Sequence, residues 1–183
     1  MSSTELTNVS YVTLALIGDG GASPHDLVDM DRRGGQIYYA VAHSRLYAEP
    51  KRLEELGYVR SVKRPGKTRE RTFYTLTETG RAALAAWAVE PPAAVRIQNE
   101  AVPKLLSGDI VGDDARLLAA LLTLRGELDA QAAKLDEAMA GLDALPHRRR
   151  YLLLVVDIGR RLVAAQREWL DEVEAELGSP GDG

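Results

Sequence analysis

The chain has 183 residues, of which 45% are hydrophobic, a formal net charge of −4 and no cysteine. This length allows a buried core in one domain or two small ones, and the lack of cysteine excludes disulfides, zinc ribbons and thiol catalysis. The longest nonpolar run, Ala82–Val89, is far shorter than the roughly 18 residues of a membrane span, and the N-terminus lacks the regions of a signal peptide, so we expect a cytoplasmic protein without membrane contact.

Charge is unevenly distributed along the chain. Between Arg32 and Arg81 there are 12 Lys or Arg and 5 Asp or Glu, whereas the remainder has 11 and 22. A locally basic segment is expected when one part of a protein meets a polyanion, because attraction to phosphate depends on the local field. Charge alone does not separate this interpretation from a solvated charged surface.

Two short helices are predicted at the start of the chain. In NVSYVTLALIGDGG, apolar residues recur at three- and four-residue intervals before a glycine-rich stop, which is typical of a largely buried helix. In SPHDLVDMDRRGG, Ser23 is a suitable N-cap and Pro24 suits the first helical position. Gly34 and Gly35 are expected to end this second helix.

A third helix is predicted from about Ser44 to Leu56, with Gly57 as its stop. Leu46 and Leu53 lie on its inner side, and the outward face is polar and partly basic. Pro50 lies within this helix, where it removes a backbone donor, so we expect it to kink the helix or to end its first section.

After the third helix the pattern changes to that of a β-hairpin. Residues that favour strands, such as Val59 and Phe73, lie on both sides of the turn pair Pro65-Gly66, and the tip is basic. Thr77 is a suitable N-cap for a fourth helix. Three short helices, a hairpin and a helix are the element order of a winged helix-turn-helix, whose third helix enters the major groove while the wing follows the DNA backbone.

The third helix and the wing therefore carry the predicted contacts to double-stranded DNA. We expect the helix to select the sequence and the wing to supply general affinity. The candidate residues are His43, Ser44, Arg45, Tyr47 and Lys51 in the helix and Lys63, Arg64, Lys67, Arg69 and Arg71 in the wing.

Two segments resemble those of PadR-type transcriptional regulators. In HSRLYAEPKRLEELGYV, a helix containing tyrosine ends in Leu-Glu-x-Leu-Gly at Leu53–Gly57, and in RTFYTLTETGRAALAAW, the wing is followed by Tyr-x-Leu-Thr-x-x-Gly at Tyr74–Gly80. The later residues resemble the larger, AphA-like members, which have two C-terminal helices. The resemblance implies a homodimeric DNA-binding regulator, often a repressor that releases its operator on sensing a small, frequently aromatic molecule.

The second half of the chain predicts two long amphipathic helices separated at Pro146. Apolar residues form a heptad-like seam from Leu117 to Leu142, and a second stripe runs from Leu152 to Val173. We expect these helices to pair with a second chain, because pairing buries more apolar surface than the alternative, a hairpin packed only on its own winged helix. The predicted dimer residues are Leu117, Leu121, Leu124, Leu128, Leu135, Leu162 and Trp169.

The predicted fold is mainly α-helical with a small β-hairpin. A winged helix-turn-helix domain covers residues 1–90, a linker 91–112, and an antiparallel helical dimerisation domain 113–183. Trp87 and Trp169 are candidates for binding a small aromatic effector, because aromatic faces stack on planar ligands. Both are at least as good candidates for ordinary core residues.

The sequence contains no recognisable catalytic or metal-binding motif. His25, His43 and His147 are far apart, and neither a Gly-rich phosphate loop nor the HExxH or GxSxG sequence occurs. We therefore expect a dimeric winged-helix transcription factor, a repressor without cofactor, and not an enzyme. The alternative is a winged-helix adaptor that binds proteins instead of DNA, against which the basic wing argues.

Overall fold

The computed structural model describes residues 6–33, 37–39, 41–65, 70–94 and 97–179. The chain forms two compact units, Met1–Ala93 and Ala94–Gly183. Gly34 and Gly35, predicted to end the second helix, and Gly66, Lys67 and Arg69 of the wing lie outside the described residues. The predicted fold class, mainly α-helical with a two-stranded hairpin, is confirmed.

The first unit has the predicted order of elements. Its core contains buried apolar side chains from the helices and both strands, among them Leu14, Leu27, Leu53 and Val59. The elements of this unit are α1 (Asn8–Ile17), α2 (Pro24–Arg32), α3 (His43–Glu55), β1 (Val59–Arg64), β2 (Arg71–Leu76) and α4 (Glu78–Ala88).

Polar caps fix the starts of three of these helices. α1 begins with a reciprocal pair, in which the N–H of Thr7 donates to Ser10 Oγ and the N–H of Ser10 donates to Thr7 Oγ1. Ser23 caps α2 as predicted, and the Thr77 hydroxyl accepts from the N–H of Gly80 at the start of α4. Each cap satisfies a backbone donor that has no partner within its helix.

α3 continues through Pro50 instead of ending there. The proline ring is fully buried, so its packing in the core offsets the loss of one backbone hydrogen bond. Of the two predicted alternatives, an end of the helical section at Pro50 is excluded, and a kink tolerated for its packing stays a prediction.

The two strands form an antiparallel hairpin that a short segment after α1 extends at one edge. Ala22 and Tyr74 exchange backbone hydrogen bonds, each 2.9 Å between N and O. The preceding Gly21 has φ of 72°, and a Cβ there would crowd the Tyr74 carbonyl. This close backbone approach explains why glycine occupies the position.

The second unit is a helical hairpin with two short helices before it. The residues predicted to be linker include these two helices, and Ala101 of the first packs against Leu117, Leu121 and Val173. The predicted first long helix is divided at Thr123. The elements are α5 (Ala101–Leu106), α6 (Gly108–Val111), α7 (Asp114–Leu122), α8 (Leu124–Ala140), a 3₁₀ turn (Leu142–Ala144) and α9 (Arg149–Leu177).

Ion pairs join α8 to α9, and their partners follow opposite orders along the two helices. Arg125 pairs with Asp171 and Glu174, at 2.7 and 2.6 Å. Further along α8 come Asp129, paired with Arg167, and Asp136, paired with Arg160. Because the partner numbers fall as the α8 numbers rise, the two helices are antiparallel.

Within the described residues, no helix combines the length and the apolar character that crossing a bilayer requires.

Candidate nucleic-acid interface

The outward face of α3 carries most of the predicted helix contacts. Ser44, Arg45, Tyr47 and Lys51 are exposed, while Leu46, Pro50 and Leu53 on the opposite side are buried. This separation follows from the helical period, since residues three and four apart share a face. The structure therefore brings four of the five predicted residues of this helix to one surface.

The fifth residue, His43, is held inside the unit. Its Nε2 lies 3.1 Å from Oδ2 of Asp31, and the side chain of His43 is 33% exposed while that of Asp31 is 3% exposed. The pair joins the last turn of α2 to the first residue of α3. His43 thus helps to fix the position of α3, and a direct contact of this ring with DNA remains a prediction.

A second polar cluster holds α3 against α1. The hydroxyl of the fully buried Ser10 donates to Oε1 of Glu49 over 2.7 Å, and Nη1 of Arg52 donates to the same oxygen over 2.9 Å. On this inner flank of α3, the charge of Arg52 is thus paired with that of Glu49, and the Glu49 carboxylate also accepts from the hydroxyl of Ser10. The cations of the outward face are then Arg45 and Lys51.

The outer face of the hairpin is basic. In the antiparallel register Arg60 lies opposite Thr75, and Arg64 lies opposite Arg71. Since alternate residues of a strand share a face, Arg60, Arg64 and Arg71 point to the same side. Arg60 was not among the predicted DNA contacts, although its spacing of four residues from Arg64 within one strand is the signal that would have found it.

On this outer face, Phe73 holds Arg64 in place and Arg71 repels it. Its guanidinium lies 3.6 Å from the centre of the Phe73 ring, in cation–π geometry. Arg71, directly across the ladder, carries the same charge, and like charges in this position destabilise a hairpin. A phosphate placed between the two guanidinium groups would remove this repulsion through charge-assisted hydrogen bonds.

Lys63 lies on the other face of the hairpin. Its Nζ donates to Thr72 Oγ1 over 2.9 Å. The same face leads to the core, where Tyr74 is buried. Burial raises the pKa of the Tyr74 phenol, and the carboxylate of Glu54 raises this pKa further, so the phenol stays neutral well above neutral pH.

The wing is attached to the end of α3. The backbone N–H of Ser61 in β1 donates to Oε1 of Glu54 over 2.8 Å. A hydrogen bond to a carboxylate is among the stronger ones in proteins. The bond therefore couples the position of the basic hairpin to that of the outward face of α3.

The two predicted effector residues each pack within their own unit. Trp87 stacks on Tyr11, with ring centres 4.7 Å apart and planes 5° from parallel. Trp169 is half-buried against the cluster formed by Ala101, Leu117 and Leu121. Both tryptophans are therefore partly used in core packing.

The predicted dimer leucines are mostly buried in the second unit. Leu121 and Leu128 are 2% and 0% exposed, so they have almost no surface left for a second chain. Apolar side chains are instead exposed on α9: Tyr151 by 66%, Leu154 by 64%, Val155 by 43% and Ile158 by 47%. We call this set the α9 stripe.

In the part of the chain that the structure describes, no group of three or more His, Cys, Asp or Glu side chains could hold a metal ion.

Comparison with known proteins gives consistent similarities. Residues 30–86, from the end of α2 into α4, match the family described as transcriptional regulator PadR-like. The probable transcriptional regulator Rv1176c of Mycobacterium tuberculosis is 25% identical over 182 residues, which cover 91% of this chain and 96% of the relative.

Solved structures have the same fold. The PadR-like transcriptional regulator BC1756 of Bacillus cereus matches with a TM-score of 0.81 and 16% identity over 97% of this chain and 99% of its own. PadR of Bacillus subtilis in complex with operator DNA matches with a TM-score of 0.64 and 21% identity over 91% of this chain and 99% of its own. The structure of the same protein in complex with p-coumaric acid matches with a TM-score of 0.66 and 20% identity, over 93% of this chain and 99% of its own.

Proposed function

We propose that this chain, whose winged helix is of the PadR-like type, is a homodimeric transcriptional regulator that binds double-stranded operator DNA and represses transcription. The observation that carries DNA binding is the presence of two basic surfaces in one unit, which the bond between Ser61 and Glu54 ties together. One is the outward face of α3 with Arg45 and Lys51. The other is the outer face of the hairpin, and in a chain of net charge −4 such surfaces suit a polyanion.

The two surfaces have different tasks in this proposal. The side chains of Ser44, Arg45, Tyr47 and Lys51 read base edges in the major groove, because only those edges carry the full sequence code. The arginines of the hairpin bind phosphates, which fixes the register without reading sequence. The B. subtilis PadR solved with operator DNA supports this use of the fold.

The homodimer follows from the length of an operator. One chain has one such helix, and reading two successive major grooves needs a second one about 34 Å away. The α9 stripe supports this step, because its residues follow the i, i+3, i+4, i+7 spacing of one helical face, which Leu162 continues. An exposed apolar helix face is what a two-fold interface would bury. Assignment to the AphA-like subgroup remains a prediction.

A small aromatic molecule is the proposed signal for release of DNA. The support is the complex of B. subtilis PadR with p-coumaric acid, together with two half-buried tryptophans. Trp87 and Trp169 are the candidate contacts, and each would also report binding by its fluorescence. An effector acts by favouring a conformation in which the two α3 helices no longer match the operator spacing.

Binding to the DNA upstream of the encoding gene tests the proposal. Fluorescence anisotropy at several salt concentrations between about 50 and 200 mM should give a steep loss of affinity with salt. Affinity for one upstream segment should exceed that for shuffled DNA of equal length by about 10³-fold or more. Equal affinity for the two DNAs would contradict sequence-specific regulation, and no binding to either would favour the protein adaptor.

Titration with phenolic compounds tests the effector. Tryptophan fluorescence and operator release are followed in the same titration, with Trp87→Phe and Trp169→Phe assigning the signal. Quenching without release would reduce the site to adventitious binding, and a lack of response across a broad panel would contradict an aromatic effector.

A further inference from the structure

The outward face of α3 contains one small apolar side chain among polar ones. Ala48 is exposed, with Ser44 and Arg45 one turn before it and Lys51 and Arg52 one turn after it. In a helix-turn-helix the N-terminal part of the recognition helix contacts the base edges, and Ala48 lies in the first half of α3. The methyl group of alanine offers such an edge neither a donor nor an acceptor.

Ala48 also lines a cleft between α1 and α3. The cleft has a volume of about 300 Å³, and Val9 of α1 provides its second apolar side chain. Thr7, Arg45, Glu49 and Arg52 complete its lining. The hydrogen bonds of Glu49 to Ser10 and to Arg52 fix the two helices on either side. The surface around Ala48 is thus a small concavity with apolar groups inside and guanidinium groups at the rim.

Arg45 is the rim group best placed to read a base. Among the described residues, none forms a hydrogen bond or an ion pair with its guanidinium. Arginine on the major-groove edge of guanine is the commonest specific contact in protein–DNA complexes, and a small apolar side chain suits the C5-methyl group of thymine.

We propose that Ala48 is a specificity-determining residue that contacts the 5-methyl group of a thymine next to the base read by Arg45. This assignment rests on the proposed function, since it requires α3 to lie in the major groove. Tyr47, its exposed neighbour, lies about 100° further round the helix and carries a hydroxyl, so it is less suited to a methyl group. A larger side chain at position 48 would occupy the cleft and displace the thymine edge.

Substitution of single thymines in the operator tests the assignment. The operator is first defined by selection from random DNA, and each thymine is then replaced by deoxyuridine, which lacks only the 5-methyl group. The wild type should lose affinity about fourfold at one position per half-site, the value expected for burial of one methyl group. Cytosine in place of that thymine should also lower the affinity. 5-Methylcytosine at the same position should recover part of this loss, because it restores the methyl group.

Variants connect the effect to Ala48. Ala48→Gly should bind thymine and deoxyuridine operators equally at that position, whereas Lys51→Ala should bind both more weakly and keep the fourfold ratio. Ala48→Ser, which puts a hydroxyl against the methyl group, should also lose the fourfold ratio between thymine and deoxyuridine operators. This variant keeps the test valid if circular dichroism shows that the glycine variant is unfolded.

Each remaining outcome overturns one of the two proposals. A selected operator without any sensitive thymine, or a ratio that persists in both Ala48 variants, would overturn the role of Ala48 and leave DNA binding intact. Selection that returns no preferred sequence would overturn the proposed function, and the role of Ala48 with it.

Discussion

Arg64 and Arg71 lie directly opposite each other at the outer end of the β-hairpin, and Arg64 is stacked on Phe73. Two cations in this relationship destabilise the free protein slightly and favour a shared anion. In the proposed complex with DNA, a phosphate bound between Arg64 and Arg71 would relieve this repulsion.

Removal of either arginine should weaken binding to all DNA. We expect Arg64→Ala or Arg71→Ala to lower the slope of log affinity against log salt by about one, for operator and shuffled DNA alike. For Arg71→Ala the free energy of unfolding should stay unchanged or rise by up to about 0.5 kcal/mol, because the repulsion is removed while the contact of Arg64 with Phe73 is kept. Arg161→Ala, whose arginine is paired with Asp157 in α9, is the control and should leave the slope unchanged.

Changes on α3 should act on sequence selection instead. Arg45→Ala should weaken operator binding by about 1–3 kcal/mol, the range for one bidentate base contact. Binding to shuffled DNA should fall much less, so the ratio of the two affinities is the quantity to measure. Equal losses for both DNAs would contradict the division between the helix and the hairpin.

The bond between Asp31 and His43 should contribute to stability. Asp31→Ala leaves the imidazole without its buried partner and should lower the free energy of unfolding by about 1–3 kcal/mol. Asp29 in the same helix pairs with the exposed His25 at the same 3.1 Å distance, so Asp29→Ala is a matched control and should cost about 0.5 kcal/mol or less. Urea unfolding of the two variants measures the difference, and similar losses would contradict a structural role for Asp31.

Replacement of two glycines by alanine should change the free energy of unfolding in opposite directions. A Cβ at Gly80 would overlap the carbonyl oxygen of Tyr58, whereas a Cβ at Gly126 in α8 meets nothing within 4 Å. Gly80→Ala should therefore lower the free energy of unfolding by about 2 kcal/mol or more. Gly126→Ala should raise it by up to about 1 kcal/mol, because alanine favours helix. Denaturant unfolding decides both, and a tolerated Gly80→Ala would contradict the close approach.

Charge on the α9 stripe should prevent dimerisation without unfolding the chain. Leu154→Glu and Ile158→Glu are expected to sediment as monomers and to keep the helical circular dichroism spectrum, because both side chains are exposed. Leu128→Glu should unfold the second unit, since this side chain is fully buried. A wild type that sediments as a monomer at micromolar concentration would contradict the dimer itself.

Local signals in the sequence predicted the winged helix well. Ser23 and Thr77 are caps as expected, and the hairpin pairs the predicted strands. These features depend on residues close together in the chain, which is why composition and spacing were sufficient. At Pro50 the sequence left two alternatives open, because the burial that offsets its local cost depends on residues distant in the chain.

The second unit was harder to predict for a related reason. A seam of leucines indicates burial but not the partner that covers it, and Leu121, Leu128 and Leu135 are buried by contacts within the second unit. The helices α5 and α6 have only six and four residues, too few for a helical period to appear in the sequence, so their segment was interpreted as linker. For the DNA contacts, strand alternation alone would have added Arg60, whereas the bond between His43 and Asp31 depends on tertiary structure.

The ion pairs between α8 and α9 also favour one alignment of these two helices. Along α8 the paired charges run from Arg125 to Asp129, and along α9 their partners run in reverse from Glu174 to Arg167. A slip of α9 by one heptad would bring Asp129 towards Glu174 in one direction, or Arg125 towards Arg167 in the other. Each slip also forms one new pair of opposite charge, Asp136 with Arg167 in the first direction or Asp129 with Arg160 in the second. Each exposed pair adds little stability alone, but the aligned hairpin has opposite charges at all of its paired positions, whereas either one-heptad slip has one attraction and one repulsion, so the charge pattern favours the aligned register over both.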